Sequence, residues 1–156
     1  MNNNKKSFMK TTSEKGLDLI KKSEGYSSKS YPDPGTKAAP YTAGWGSTRH
    51  IDGTPIKLGE IFTTEQATSM LQHDLKKFED IINKKITIEL NQNQFDALVC
   101  FTYNTGGSDT LFKLVNENNS TELKEWWPKH YITGGGKELK GLITRRAAEY
   151  ALFISN

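Results

Sequence analysis

Residues 23–46 read SEGYSSKSYPDPGTKAAPYTAGWG, and within this stretch the pattern changes from a helix end to a turn and then to a strand. The glycine of SEGY is a natural C-terminal stop for a helix. Tyr31-Pro-Asp-Pro-Gly35 is a dense cluster of turn-forming residues. The aromatic, glycine-spaced run 41–48 predicts a short strand. Two carboxylates flank the change: Glu24 at the predicted helix end and Asp33 in the turn.

The rest of the chain is mainly helical in pattern. Thr12 or Ser13 can cap a first helix that begins near Glu14, and Asp52-Gly53 predicts a hairpin turn into a second strand. Apolar residues at helical spacing predict the later helices, and the glycines of 133–136 predict a loop. The sequence therefore predicts an α+β, mainly helical fold, with helices over 63–83, 91–104, 109–116, 120–127 and 139–154.

Composition indicates one globular domain of modest core. The chain has 156 residues, of which 35% are hydrophobic, and 21 basic against 18 acidic residues give a net charge of +3. This charge is too weak, without a dense basic patch, to indicate nucleic-acid binding. Cys100 is the single cysteine and lies in an apolar run, which favours a buried thiol over a catalytic one.

The N-terminus is polar and carries no apolar core of a secretory signal. We therefore predict a polar leader over 1–12 and one domain over 13–156, with a small β-rich lobe at about 25–62 and a helical lobe formed by 63–156 plus the first helix. No stretch approaches the roughly 20 apolar residues that a membrane span needs, so we expect no stable membrane insertion.

Glu24 and Asp33 are the candidate chemical groups. Hydrolysis of a glycosidic bond needs one acid that protonates the leaving oxygen and one carboxylate that activates water or attacks the sugar. The pair alone is weak evidence, because the chain has 18 acidic residues and most such groups are solvated.

The surrounding motifs resemble phage-type lysozymes, glycoside hydrolase family twenty-four. The resemblance lies in Ser23-Glu24-Gly25-Tyr26, in Tyr31-Pro-Asp33 and in Tyr41-Thr42-Ala-Gly44-Trp-Gly46. Eight residues separate Glu24 from Asp33, which is the spacing of the family. It continues downstream to about residue 154. The later motifs are TTEQA at 63–67, LQHD at 71–74, QFDAL at 94–98, FTYNTG at 101–106 and GLITRRAAEYALF at 141–153.

The resemblance implies a lysozyme-like fold, with a β-hairpin lobe packed on a larger helical lobe and an active-site cleft between them. It implies that Glu24 is the general acid, that Asp33 orients the attacking water and that Thr42 holds this water. Thr36 and Thr48 are nearby but lack the strand context of Thr42. The gap from Asp33 to Thr42 is longer than usual in the family, and we expect the extra residues to extend the loop 35–40.

The remaining site residues follow less directly. The resemblance implies an arginine of the last helix beside Glu24, for which Arg145 is preferred to Arg146. Asn104 can bind the N-acetyl group of a sugar or end its helix, and these alternatives stay open. Tyr31 and Trp45 are candidates for contact with the sugar, and at most one of the adjacent Trp126 and Trp127 can face a cleft.

The implied function is that of an endolysin. It would hydrolyse the β-1,4 bond between N-acetylmuramic acid and N-acetylglucosamine in peptidoglycan, with inversion and without a metal or other cofactor. We expect a monomer that is made in the host cytoplasm and reaches the wall through a holin-type release. His50, His73 and His130 form no zinc motif. The alternative is a non-catalytic peptidoglycan-binding module on the same fold.

Overall fold

A computed structural model describes residues 9–156 of the chain. Residues 1–8, which carry most of the predicted polar leader, lie outside the described residues. The chain divides into two compact units, and the boundaries fall inside the first and the second helix. We call residues 21–76 the hairpin unit, and residues 9–20 together with 77–156 the helical unit.

The prediction of an α+β, mainly helical fold is confirmed. The helices are α1 (Glu14–Glu24), α2 (Thr64–Lys85), α3 (Gln92–Thr105), α4 (Asp109–Asn116), α5 (Ser120–Trp126) and α6 (Lys140–Ile154). The strands are β1 (Ser27–Tyr31), β2 (Thr42–Gly44), β3 (Thr133–Gly134) and β4 (Lys137–Glu138), paired antiparallel as β1–β2 and β3–β4.

The predicted helix starts are confirmed by their caps. At the start of α2, Gln66 N donates to Thr63 Oγ1 at 3.1 Å and Thr63 N donates to Gln66 Oε1 at 2.8 Å. Asn91 and Gln94 form the same reciprocal pair at the start of α3. Each pair satisfies backbone donors that have no partner inside the helix.

Helix α3 is the centre of the helical unit. Its residues 95–102 are all buried, which is unusual for one helix and explains why its apolar pattern is nearly continuous. Trp127 and Phe153 pack there with ring centroids 5.2 Å apart. The described end of the leader is fixed on this unit, because Thr12 N donates to Glu79 Oε2 at 2.6 Å and Lys10 N donates to Asn83 Oδ1 at 3.2 Å.

Three local predictions were wrong. The strand predicted over 41–48 is reduced to Thr42–Gly44, because the backbone turns back at once and Ala43 pairs with Ser47. The predicted second strand after Asp52-Gly53 is only one isolated bridge, between Arg49 and Pro55. The predicted loop 133–136 contains the hairpin β3–β4, whose turn residues Gly135 and Gly136 have positive φ.

Gly16 in α1 gives a test of the packing in the helical unit. A Cβ built there would lie 2.6 Å from Asp96 Cγ and 2.8 Å from Thr12 Cγ2. Asp96 cannot retreat easily, because it is buried and accepts hydrogen bonds from Ser13 N at 3.0 Å and Gln92 Nε2 at 2.8 Å.

We therefore expect Gly16→Ala to lower the free energy of unfolding by about 1–3 kcal/mol, a fall in Tm of about 2–4 °C per kcal/mol. Thermal denaturation followed by circular dichroism measures it. Gly141→Ala in α6 is the control, because nothing lies within 4 Å of its Cβ position and its Tm should not fall. Equal Tm values for the two variants would contradict the close packing of α1 on Asp96.

Candidate active site

Three of the predicted site residues lie in the hairpin β1–β2 or directly after its first strand, namely Tyr31, Asp33 and Thr42. Tyr31 is paired with Thr42 and Ser27 with Gly44, with an irregularity in β1 between the two pairs. Asp33 follows Tyr31 by two residues. Opposed residues of an antiparallel pair have Cα atoms roughly 4.5–5.5 Å apart, so the register brings Tyr31 and Thr42 side by side despite the long connection between them.

Strand β1 is held on both edges, which fixes this register. On the edge away from β2, Ser30 N donates to Glu60 O at 2.9 Å and Phe62 N donates to Ser28 O at 2.8 Å. The buried Ser30 hydroxyl also donates to Lys57 O at 2.6 Å. A slip of one residue would break these bonds and turn each side chain to the other face.

The turn after β2 requires its glycine. Gly44 has φ of 63°, and a Cβ there would lie 3.0 Å from the Cβ of Ala67 in α2. Ala43 and Ser47 exchange backbone hydrogen bonds of 2.9 and 3.0 Å across the turn. The Ser47 hydroxyl donates to Asp74 Oδ2 of α2 at 2.6 Å, which attaches the turn to the helix.

Asp33 lies in a closed turn between the strands. Its backbone N donates to Ala38 O at 2.9 Å and its carbonyl accepts from Lys37 N at 2.7 Å. Its Oδ1 accepts three hydrogen bonds: Gly35 N and Thr36 N at 2.9 Å each, and the Thr36 hydroxyl at 3.2 Å. The extra residues of the connection therefore fold into an exposed turn over 34–40.

These hydrogen bonds favour the ionised form of Asp33. The backbone N–H of Thr36 is the largest influence that holds the pKa of Asp33 below its usual range, and the Gly35 N–H and the Thr36 hydroxyl act in the same direction. Partial desolvation opposes them. All three donors contact Oδ1, so Oδ2 has no donor within the part of the chain that the structure describes.

Glu24 is the last residue of α1 and is half-buried. The helix stops there because Gly25, with φ of 71°, donates its N–H to Lys21 O at 3.2 Å. The chain then enters β1 through Tyr26, whose ring packs on Trp45 with centroids 4.7 Å apart. Glu24 therefore precedes β1, and Asp33 follows it.

The two predicted sugar contacts in the hairpin unit differ in exposure. Tyr31 is 42% exposed, whereas Trp45 is only 8% exposed. The Lys21 ammonium lies 4.3 Å from the centroid of the Trp45 ring. The Trp45 ring thus forms part of the packing between the end of α1 and β2, while Tyr31 presents an aromatic surface to solvent.

Asn104 and Arg145 belong to the helical unit. Asn104 is exposed in the last turn of α3, and the left-handed residue that ends this helix is Gly106, not Asn104. Arg145 is buried in α6, where its Nη2 donates to Cys100 O at 3.0 Å and its Nε donates to Glu149 Oε2 at 3.4 Å. The neighbouring Arg146 is fully buried and contacts Asn104.

Sequence reasoning missed Asp74 and Glu149 as organisers of these regions. Both lie in the motifs that resemble phage-type lysozymes, but the sequence does not distinguish a half-buried acid such as Asp74, or a fully buried one such as Glu149, from a solvated one. Glu149 is fully buried between Arg145, Arg146 and Trp127, and burial raises its pKa while the two arginines oppose that rise. The best available signal was the spacing of Glu149 three and four residues after two arginines.

Other features of the described chain concern its cysteine, its potential metal ligands and a cavity. Cys100 is buried as predicted, and burial raises the pKa of its thiol well above the usual range. Across residues 9–156, no three His, Cys, Asp or Glu side chains are grouped to hold a metal ion, and no described helix could cross a membrane. A cavity of about 420 Å³ beside His50, Phe62 and Met70 includes none of the predicted site residues.

Comparison with known proteins gives consistent results. The phage lysozyme family model matches residues 21–149. An endolysin of Bacillus phage PZA is 38% identical over 92% of the chain, which spans only 55% of that protein. The endolysin of Salmonella phage P22 is 33% identical over 94% of the chain and is covered along its whole length. A solved muramidase domain of SpmX from Asticaccaulis excentricus is 29% identical, with a TM-score of 0.73 and coverage of 94% of this chain and 99% of that domain.

The chain belongs to the phage lysozyme family. The match covers the hairpin unit, most of the helical unit and the motifs on which the resemblance depended, except the last four residues of the motif at 141–153. The predicted lysozyme-like α+β fold is thereby confirmed.

The state of Asp33 can be measured directly. We expect its carboxyl ¹³C signal to titrate with a midpoint below 3.8, the usual value. Because the folded-state pKa is lowered, the stabilisation is present above the unfolded-state pKa and is lost as the pH falls through the folded-state value. Thr36→Val, which removes one of three donors, should raise the midpoint slightly. A midpoint at or above the usual value would show that the turn does not hold the carboxylate.

Proposed function

We propose that this protein is a muramidase that hydrolyses the β-1,4 bond between N-acetylmuramic acid and N-acetylglucosamine in bacterial peptidoglycan. The observation that carries this proposal is the donor-bound Asp33 in a hairpin whose register pairs Tyr31 with Thr42. Membership of the phage lysozyme family supports the same substrate, as do its relatives, which are an endolysin and a muramidase domain.

Glu24 and Asp33 take different roles. Glu24 protonates the glycosidic oxygen as the general acid. Asp33 stays ionised and accepts the proton of the attacking water through Oδ2, the oxygen that its own turn leaves without a donor. Thr42, beside Tyr31 on the paired strand, holds that water through its hydroxyl.

The reaction proceeds with inversion in this proposal. A water molecule between acid and base requires carboxyl groups roughly 6.5–9.5 Å apart, whereas attack by the carboxylate itself requires about 5–5.5 Å. Three donors on Oδ1 stabilise the charge of Asp33 and keep it ionised, as either role requires, while Oδ2 stays available to a water molecule. The choice of the base role follows from the family resemblance.

The other predicted site residues bind the glycan or support the residues that do. Tyr31 stacks on a sugar through its exposed ring, and Trp45, which packs on Tyr26, supports the hairpin. Asn104 binds a polar group of the glycan, and Arg145 orients Glu24; the second assignment rests on the family resemblance. The protein acts at the cell wall.

Clearing of chloroform-treated Gram-negative cells tests the proposal. We expect Glu24→Gln, which keeps the size of the side chain but cannot deliver a proton, to lower the clearing rate by about 100- to 10,000-fold. The change in turbidity per minute at equal protein concentration is the measurement. Circular dichroism verifies that the variant is folded.

Two further proteins sharpen the experiment. Thr42→Ala should slow clearing while Thr48→Ala, its matched control on the same segment, should not. A wild-type protein that sediments with purified wall but clears nothing would instead support the alternative, a non-catalytic peptidoglycan-binding module.

A further inference from the structure

The amide of Asn104 is bound from one side only. Arg146 Nη2 of α6 donates to Asn104 Oδ1 at 2.8 Å. A guanidinium donates hydrogen bonds and accepts none, so the amide must present its oxygen to Arg146. Its NH₂ group is then the end that remains for a ligand. Asn104 is exposed, and no residue of 9–156 accepts a hydrogen bond from its Nδ2.

Arg146 is itself immobilised. Its Nη2 also donates to Glu149 Oε2 at 3.0 Å, and its Nε lies 2.8 Å from Glu149 Oε1 as an ion pair. The guanidinium packs on the face of Phe101, 4.9 Å from the ring centroid. Glu149 is held in turn by Trp127 Nε1, which donates to Oε1 at 3.2 Å. The arginine cannot swing away from Asn104 without breaking this buried network.

The network is costly as a purely structural device. Arg146 Nη1 is buried without a hydrogen-bond partner in the described chain, and Nε has only its ion-pair contact with Glu149. Burial lowers the pKa of Arg146. Buried charges with unsatisfied donors destabilise a fold, and apolar residues of similar volume often replace them without loss. If the network had only a structural role, apolar residues would fill the same space equally well. We therefore look for its function at Asn104, the exposed residue that Arg146 contacts.

We infer that Arg146 is a positioning residue that fixes the side-chain amide of Asn104 as a hydrogen-bond donor, and that Asn104 Nδ2 binds the acetyl carbonyl oxygen of an N-acetylamino sugar. The inference rests on the proposed function and names the group that Asn104 recognises. An amide carbonyl of the peptide stems in peptidoglycan has the same acceptor chemistry, so the experiment has to separate the two sources.

Binding to three probes makes that separation. The protein carries Glu24→Gln so that the probes are not cleaved, and calorimetry measures Kd for N-acetylglucosamine hexamer, for cellohexaose and for a free stem tetrapeptide. Cellohexaose is neutral and has hydroxyl groups in place of the acetamido groups. Asn104→Asp keeps an oxygen for Arg146 but loses the NH₂ donor, and Asn104→Ala is the uncharged control.

We expect both Asn104 variants to weaken binding of the N-acetylglucosamine hexamer by about 3- to 10-fold, the value of one hydrogen bond. Their binding of cellohexaose should be unchanged. A loss confined to the stem peptide would support the same donor role with the peptide carbonyl as ligand. Unchanged Kd values for all probes would overturn the inference while leaving the muramidase proposal intact.

Failure of the proposed function gives a different result, because a protein with intact Glu24 would then clear no wall, whatever the Kd values are. The inference about Asn104 is overturned separately if the protein with Asn104 intact binds none of the three probes.

Kinetics on purified peptidoglycan test Arg146 itself. Arg146→Met should raise KM about 3- to 10-fold with kcat nearly unchanged, because the amide can then turn its oxygen to the ligand. Lysine also only donates hydrogen bonds. Arg146→Lys should therefore show a smaller rise in KM than Arg146→Met, although both variants are destabilised to a similar extent. A fall in kcat that follows the folded fraction in both variants, with KM unchanged, would show a merely structural role. The exposed Asn104 variants decide the matter if the Arg146 variants do not fold.

Discussion

The pairing of β1 on both of its edges is the constraint on which the hairpin unit depends. Hydrogen bonds to β2 on one side and to Glu60 and Phe62 on the other leave only one register for the strand. That register decides which residues follow the strand and which oppose it, so it places Asp33 after Tyr31 and sets Thr42 beside Tyr31. The long connection can then vary in length, because its extra residues close on themselves through Asp33 and Ala38.

In the helical unit, hydrogen bonds between side chains, rather than backbone groups, fix the positions of polar residues. Glu149 organises two arginines and Trp127 in a space that excludes water, and one of these arginines extends the order to Asn104 at the surface. Fixed dipoles of this kind need not reorganise when a ligand arrives, which is why buried polar networks are found behind binding groups despite their cost in stability. The two units thus use rigid local frameworks to hold polar groups that are themselves accessible.

Much of the fold could be predicted because its signals are local. Helix caps such as Thr63 with Gln66 and the glycine stop after Glu24 depend on residues a few positions apart, and both are present as predicted. The candidate residues Glu24, Asp33 and Thr42 could be named because they lie in a motif. Strand β1 was not predicted: its sequence SSKSY has no alternating apolar pattern, and it forms because both neighbours bond its backbone.

The partners of the site residues could not be predicted, since they depend on contacts distant in sequence. The sequence around Ser47 does not indicate that the Ser47 hydroxyl donates a hydrogen bond to Asp74. The sequence around Asn104 likewise does not indicate that its amide oxygen accepts a hydrogen bond from Arg146 rather than from the adjacent Arg145. Adjacent helix positions point about 100° apart. Both arginines contact α3, Arg145 at Cys100 and Arg146 at Asn104, and only packing decides which of them reaches the amide.

The central claim is that Asp33 acts as an ionised base on water and not as a nucleophile. Proton NMR of the anomeric region during hydrolysis of soluble peptidoglycan glycan strands tests it most directly, because the configuration of the first product is set before mutarotation. The account predicts that the new reducing end forms first as the α-anomer, inverted from the β-linkage. First appearance of the β-anomer would show retention through a covalent intermediate, and would contradict the roles given to Asp33 and Thr42.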